Sequence, residues 1–310
     1  MIDNRKYPHT SKIVTTLSNA WPEHARFLEQ SFAPRDESLM KSTERHAEMI
    51  LRIIGSPQSL TEFCGDYRFL CDKLMEEEIF FRRNGHYRLS SFEDALNEVY
   101  ANREFMNRYM NFLLLSHVVW ENHARAMHHF EDNYLPTLPE GTDHLEVGPG
   151  HGLLLHFASS SPNIRSVTGW DVSQTSIDQA RNCLTAMGER QQVNLTLQNL
   201  FDAPLNGGVR YGSVVLAEVL EHLEDPAAAL KAMSQHMAPG AFLWIHVPIN
   251  SPAPDHIYLL KTPEEAVELI RAGGFEPIET ANFPMTGQTL ERARKRDLTI
   301  STVITARLAS

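Results

Sequence analysis

The 310-residue chain is poor in cysteine, in long apolar runs and in positive charge, and each shortage removes a class of protein. Its three cysteines, Cys64, Cys71 and Cys183, are odd in number and lack close metal-ligand spacing. That excludes a disulfide framework and fits free thiols in a reducing compartment. The longest apolar stretch, 112–120, is interrupted by Ser116 and His117 and falls far short of a bilayer span, so an integral membrane helix is excluded. The opening MIDNRKYPHT is charged and no apolar segment follows it, so no secretory leader is read and a cytoplasmic location is expected. Lys and Arg total 28 against 39 Asp and Glu, a net charge of −11, and both halves are acidic when split at Leu135. Sequence-independent nucleic-acid affinity comes mainly from clustered Lys and Arg, so this balance argues against nucleic acid as partner. The one basic cluster, Arg292, Arg294, Lys295 and Arg296, is short and reads as a solvated face.

The length suits two domains. After Thr142, short β-branched or apolar runs alternate with longer amphipathic ones, the pattern of a parallel sheet with crossover helices. Seven strands are expected, over 144–148, 166–171, 194–199, 213–217, 241–247, 275–279 and 299–306, with helices over 153–159, 175–187, 226–237 and 263–272. The last helix has the clearest limits: Thr262 as N-cap, Pro263 and two acids in its first turn, and Gly273-Gly274 behind it. The first 135 residues read as mostly helical, with apolar spacings of three and four over 44–54, 67–75 and 103–130. Within them, 79–89 holds two β-compatible runs around Asn84-Gly85, a hairpin signal. Helices followed by such a hairpin make 1–135 a winged-helix-like domain, read as an interaction or dimerisation element. The segment 136–141, PTLPEG, is the boundary with a second domain over 136–310.

The most informative string is LEVGPGHG, an apolar strand that runs into a glycine-rich turn and then a helix. Glycines permit a tight turn and close backbone approach to a ligand, and the free N–H groups of the next helix can face polar ligand atoms. Asp171 ends the second strand about 20 residues further on, where a carboxylate accepts ribose hydroxyls. Together they point to a nucleoside ligand.

On these residues the sequence resembles the class I S-adenosylmethionine-dependent methyltransferases over about residues 140–310. LEVGPGHG looks like that family's glycine-rich motif, GWDVS carries its ribose-binding acid, and VVLAEVLEHLEDP looks like its fourth-strand motif. The resemblance implies an α/β, Rossmann-like seven-stranded sheet with the last strand antiparallel, and S-adenosylmethionine as cofactor. It implies that Gly148, Gly150 and Gly152 line the methionine and ribose portion with Glu146 near the amino group, and that Asp171 holds the ribose. Where the family often has an acid for the adenine amino group, this chain has Asn199, whose amide oxygen accepts the same bond; Leu200 completes the adenine contact. The helical N-terminal module, with the string LCDKLMEEEIFFRRNGHYRLS, resembles the dimerisation and pocket-closing segment of small-molecule methyltransferases. A homodimer acting on a small molecule follows from that resemblance.

Methyl transfer needs an acceptor held in line with the sulfonium and, where required, stripped of a proton. Side chains beyond the fourth strand face such a site in a doubly wound fold. Here they are Glu218, Glu221 and His222, spaced i, i+3 and i+4, which share one face if the segment is helical. A proline-rich loop after the fifth strand brings His256 to the same sheet edge. Two imidazoles and a carboxylate, Glu221, His222 and His256, suit a divalent metal such as zinc or iron with positions left for substrate. A metal-free reading, with His222 as base, stays equally open. With a metal, the chain resembles the 2-oxo acid C-methyltransferases of peptide natural-product biosynthesis, of the 2-ketoarginine and phenylpyruvate type, which methylate the β-carbon of the oxo acid. The alternatives are a metal-free O- or N-methyltransferase, the metal-dependent RNA 2′-O-methyltransferases, which EVLEH with a later His also resembles, and a non-enzymatic winged-helix regulator that senses the cofactor. Tyr100, Phe105, Tyr109, Phe112 and Trp120 are read as packing residues ahead of an aromatic pocket lining, the histidines at 117, 123, 128 and 129 as surface or satisfied core groups ahead of a base, His246 as structural, and Cys64 and Cys71 as small core residues.

Overall fold

The computed structural model describes residues 2–188, 191–202 and 210–309, which form two compact units. One comprises 1–128, 250–259 and 283–300; the other comprises 129–249, 260–282 and the C-terminal strand from Ser301.

The second unit is built on a seven-stranded sheet in the order β3-β2-β1-β4-β5-β7-β6. Its strands are β1 (Thr142–Val147), β2 (Ile164–Asp171), β3 (Val193–Leu197), β4 (Tyr211–Ala217), β5 (Met237–Ile249), β6 (Phe275–Pro284) and β7 (Ile300–Leu308). The β1–β2, β1–β4, β2–β3 and β4–β5 pairs are all parallel. The order reverses between β1 and β4, and in open α/β sheets ligands bind at such a reversal, beyond the carboxyl ends of the strands. Leu145, Val214, Leu243 and Ile245 are fully buried in the central strands. Burial on both faces accounts for the near-continuous apolar runs in the sequence.

Crossover helices follow where the sequence places them. They are Leu153–Ser160 and Gln174–Met187, which pack on each other, and Pro226–Ser234 and Pro263–Ala272, which do likewise. In the last, Thr262 Oγ1 accepts the Glu265 N–H at 3.1 Å, as its cap signature requires. The helix expected over 226–237 stops at Ser234 because Met237 already belongs to β5 and pairs with Tyr211. Gly169 on β2 allows the close approach of the first crossover: a Cβ there would sit 2.9 Å from Leu155 Cδ1 and 3.3 Å from Pro149 Cγ.

The first unit is helical. Helices α1 (Pro8–Ala20), α2 (Ala25–Phe32), α3 (Glu37–Ile54), α4 (Pro57–Asn84), α5 (Phe92–Ala95), α6 (Arg103–Val119) and α7 (Glu121–His128) precede the sheet. The pairs α1–α3, α4–α6, α6–α7 and α3–α7 pack together. No helix among the described residues is long and apolar enough to cross a membrane.

Two expectations fail here. The hairpin over 79–89 does not form, because α4 runs through to Asn84 and ends on Gly85 at φ 75° and ψ 13°. Asn-Gly is also a helix stop: Gly85 adopts the left-handed cap and donates its N–H to the Phe81 carbonyl at 2.7 Å. Asn84 Nδ2 donates to Phe80 O, the Arg82–Glu78 pair spans one turn, and Arg82 and Arg83 stand where the helix dipole favours cations. No strand occurs among the described residues of 1–135, so the winged-helix reading loses its wing. The helix expected over 103–130 breaks at Trp120, which is extended at φ −96° and ψ 127° and donates its indole N–H to Tyr67 Oη at 2.7 Å.

Candidate active site

The glycine-rich turn leaves β1 at its carboxyl end, as the sequence pattern requires. Gly148, Gly150 and Gly152 take φ of 68°, 53° and 74°, values open to glycine and strained for other residues. A side chain at 148 would also press on Val219 Cγ2 at 3.1 Å. The turn is fastened by Gly148 N–H to Trp170 O at 2.8 Å and by Gly152 N–H to Pro149 O at 2.7 Å. His151 Nδ1 accepts the Leu153 N–H at 3.2 Å and so caps the helix that follows. Burial pushes its pKa down to about 4, so the ring is neutral.

Glu146, at the end of β1, is buried, and its Oε2 has no hydrogen-bond partner among the described residues. Burial pushes its carboxyl well above the usual range, against the opposing hydrogen bond from the Leu155 backbone. A carboxylate in that position is stabilised by any cation delivered to it. Asp171 ends β2 with Oδ1 accepting the Ser173 N–H at 2.8 Å. Burial raises its pKa, while the N–H groups of Ser173 and Val172 and the Ser176 side chain pull it down. Asn199 lies just past β3, where its Oδ1 accepts the Phe201 N–H at 3.0 Å. One of the two lone pairs of that amide oxygen is therefore in use. Leu200 is buried, and its carbonyl lies 3.3 Å from His236 Nε2. Val172, Leu197 and Phe201, at the carboxyl ends of β2 and β3, are large apolar side chains left exposed. Exposure of this kind is a signal that only a structure supplies.

Beyond β4 the expected helical face is absent. Glu218 takes φ 53°, and Leu220–His222 form a single 3₁₀ turn, so Glu218, Glu221 and His222 do not share a helix face. Instead Glu218 turns to β5, with Oε1 3.1 Å from His246 Nε2. His246, read from the sequence as structural, is thereby a neighbour of a candidate catalytic acid. The strand register that brings it there, Ala217 opposite His246, leaves no trace in the sequence. Glu221 is buried, with Oε1 3.8 Å from Nε2 of His222.

His256 lies in the 250–259 segment of the helical unit. Its Nδ1 is 2.7 Å from the Ser251 carbonyl oxygen. A carbonyl only accepts, so Nδ1 carries the hydrogen, and in the neutral ring the lone pair is on Nε2. Asp255 beside it accepts hydrogen bonds from Tyr109 Oη at 2.8 Å and Tyr100 Oη at 3.2 Å. Both tyrosines were expected only as packing residues.

Among the remaining histidines and cysteines, His129, Cys64 and Cys183 are buried. His123 is held against Ser116 Oγ at 2.9 Å with its pKa pushed down to about 4 by burial, and His129 Nδ1 accepts the Trp244 indole N–H at 3.1 Å. Burial lifts the thiols of Cys64 and Cys71 to about 12, which removes them as nucleophiles at neutral pH.

Residues 119–297, more than half of the chain, match a family model described as a methyltransferase domain. The ubiquinone biosynthesis O-methyltransferase of Coxiella burnetii is 30% identical over 135 residues, covering 43% of this chain and 55% of that protein. That of Alkalilimnicola ehrlichii is 29% identical over 135 residues, covering 43% and 52%. The chain thus spans about half the length of the curated relatives it matches. The N-methyltransferase NodS from Bradyrhizobium japonicum, solved in complex with S-adenosyl-l-homocysteine, aligns at 17% identity with a TM-score of 0.45, covering 61% of this chain and 87% of that one.

Proposed function

The chain belongs to the methyltransferase-domain family, and on that premise we propose that it is an S-adenosylmethionine-dependent methyltransferase acting on a small molecule held by a divalent metal on Glu221, His222 and His256. The cofactor, when bound, supplies an electrophilic methyl group on a sulfonium. The buried Oε2 of Glu146, without a hydrogen-bond partner among the described residues, fits its ammonium group, and the left-handed glycines would admit it close to the backbone. Asp171 keeps acceptor capacity for the ribose hydroxyls, and Asn199 and Leu200 would hold the adenine.

The observation that carries the metal is the tautomer of His256. An imidazole whose Nδ1–H is given to a backbone carbonyl presents Nε2 as a ligand, the arrangement found around metal-ligating histidines. Two imidazoles and a carboxylate are the donor set of a borderline cation such as zinc, with coordination positions left for an acceptor. The ion, when bound, supplies Lewis acidity that makes an acceptor proton easier to remove. Glu218, tied to His246, is the group proposed to take that proton.

Oxygen is the favoured methyl acceptor, supported by the O-methyltransferase names of the relatives. The β-carbon of a 2-oxo acid is a second reading: the same donor set leaves positions for a chelating carboxylate and keto oxygen. Elemental analysis before and after chelation, paired with methyl transfer to catechols and to 2-oxo acids, tests both. Stoichiometric metal with chelator-sensitive turnover is expected. Chelator-resistant turnover by metal-free protein would return His222 to the role of a base and remove the metal. The acceptor panel decides between oxygen and carbon.

A further inference from the structure

We infer that Tyr109 and Tyr100, acting through Asp255, are positioning residues for His256; this deepens the metal reading above and rests on it. Asp255 is almost wholly buried, and a buried carboxylate is costly unless donors surround it. Two phenols from different turns of the helical unit donate to it: Tyr109, inside α6, reaches Oδ1 at 2.8 Å, and Tyr100, just before α6, reaches Oδ2 at 3.2 Å. One carboxylate spread between two donors has its plane and its backbone held at once.

The residue on the other side of His256 is also anchored. Ile257 packs with Leu89, Val99, Tyr100, Phe105 and Met106 in one apolar cluster. Upstream, the Ser251 N–H donates to Tyr87 Oη at 3.0 Å, Thr299 Oγ1 donates to Asn250 O at 3.0 Å, and the His256 N–H reaches Ala253 O at 3.3 Å. His256 therefore lies between two pinned neighbours, and its ring is fixed by Ser251 O. Packing alone would be served by an apolar residue at 255. A carboxylate read by two hydroxyls instead sets direction, which a metal ligand needs within a fraction of an ångström.

The test uses the full chain with Zn²⁺ as probe, its affinity read by competition with a chromophoric chelator, and S-adenosylhomocysteine affinity as control. The double variant Tyr100→Phe/Tyr109→Phe should bind Zn²⁺ about 10- to 100-fold more weakly with cofactor-product affinity unchanged. Asp255→Asn should show the same loss, and it decides alone if the double variant fails to fold. Tyr134→Phe removes a comparably buried phenol, bonded to Ser213 Oγ at 2.7 Å in the sheet unit, and should cost stability without moving Zn²⁺ affinity. Wild-type Zn²⁺ affinity in the Asp255 and tyrosine variants, alongside its loss in His256→Ala, would overturn the clamp and leave the metal reading standing. Equal Zn²⁺ binding by wild type and His256→Ala would overturn both.

Discussion

Glu218 is tied to His246 twice, through its backbone N–H, which donates to the His246 carbonyl at 2.9 Å, and through its carboxylate, 3.1 Å from the imidazole Nε2. The backbone hydrogen bond holds Glu218 at φ 53°, in the left-handed region where a non-glycine residue is strained. Strain of this kind persists only where the surroundings over-determine it, and it concentrates at functional positions. Glu218→Gln should therefore lower methyl transfer by about 100-fold or more with cofactor affinity intact. Glu218→Gly should be equally inactive yet no less heat-stable than Glu218→Gln, because glycine relaxes the backbone. An active Gln variant would take Glu218 out of the proton path.

Asp171 ends β2 with one oxygen already engaged by the Ser173 N–H. Asp171→Ala should weaken S-adenosylmethionine binding by roughly 10- to 100-fold, the worth of hydrogen bonds to a charged group. Calorimetric titration reads this directly. Wild-type affinity in a folded variant would remove Asp171 from the ribose site.

Gly169 is a packing glycine rather than a conformational one. A methyl group there meets Leu195 Cδ2 at 2.8 Å as well as Leu155 and Pro149. Gly169→Ala should cost about 1–3 kcal/mol of stability, the usual range for overpacking. Because Pro149 lies inside the cofactor turn, cofactor affinity should fall as well. Denaturant unfolding with and without S-adenosylhomocysteine measures both, and stability loss with unchanged affinity would show that the strain stops at Leu155 and Leu195.

Acid stability should follow the buried histidines. Burial pushes His144 from the ordinary 6.5 down to about 3, and its Nδ1 lies 2.9 Å from Ser213 Oγ. The folded ring stays neutral while the unfolded ring takes up a proton below 6.5. Stability is thus complete above that pH and declines as pH falls towards 3, by on the order of 1 kcal/mol per pH unit for each such group. Burial displaces His24, His123 and His151 in the same direction. Denaturation midpoints at pH 7.5 and 5 should show the decline, and His144→Gln should make it shallower; an unchanged slope would mean that His144 is protonated in the folded protein.

The strands, the crossover helices and the glycine-rich turn were legible in the sequence because each depends on neighbouring residues. Period, caps and turn residues act within a few positions, so Pro263–Ala272 could be delimited to the residue. The same local reading failed at Asn84-Gly85, since one dipeptide serves both a hairpin turn and a helix C-cap. What decided there was that α4 has a helix to pack on: Tyr67 of α4 stacks on Phe112 of α6 with ring centroids 5.6 Å apart.

The chain by itself determined that a parallel sheet would carry a glycine-rich turn at the end of its first strand. Only the tertiary structure decided which side chains meet around the chemistry. Strand register set His246 against Glu218, and helix packing set two tyrosine hydroxyls on Asp255. Both are meetings of residues far apart in sequence. A hydrogen bond between such residues follows from how whole elements pack, and no local pattern encodes it.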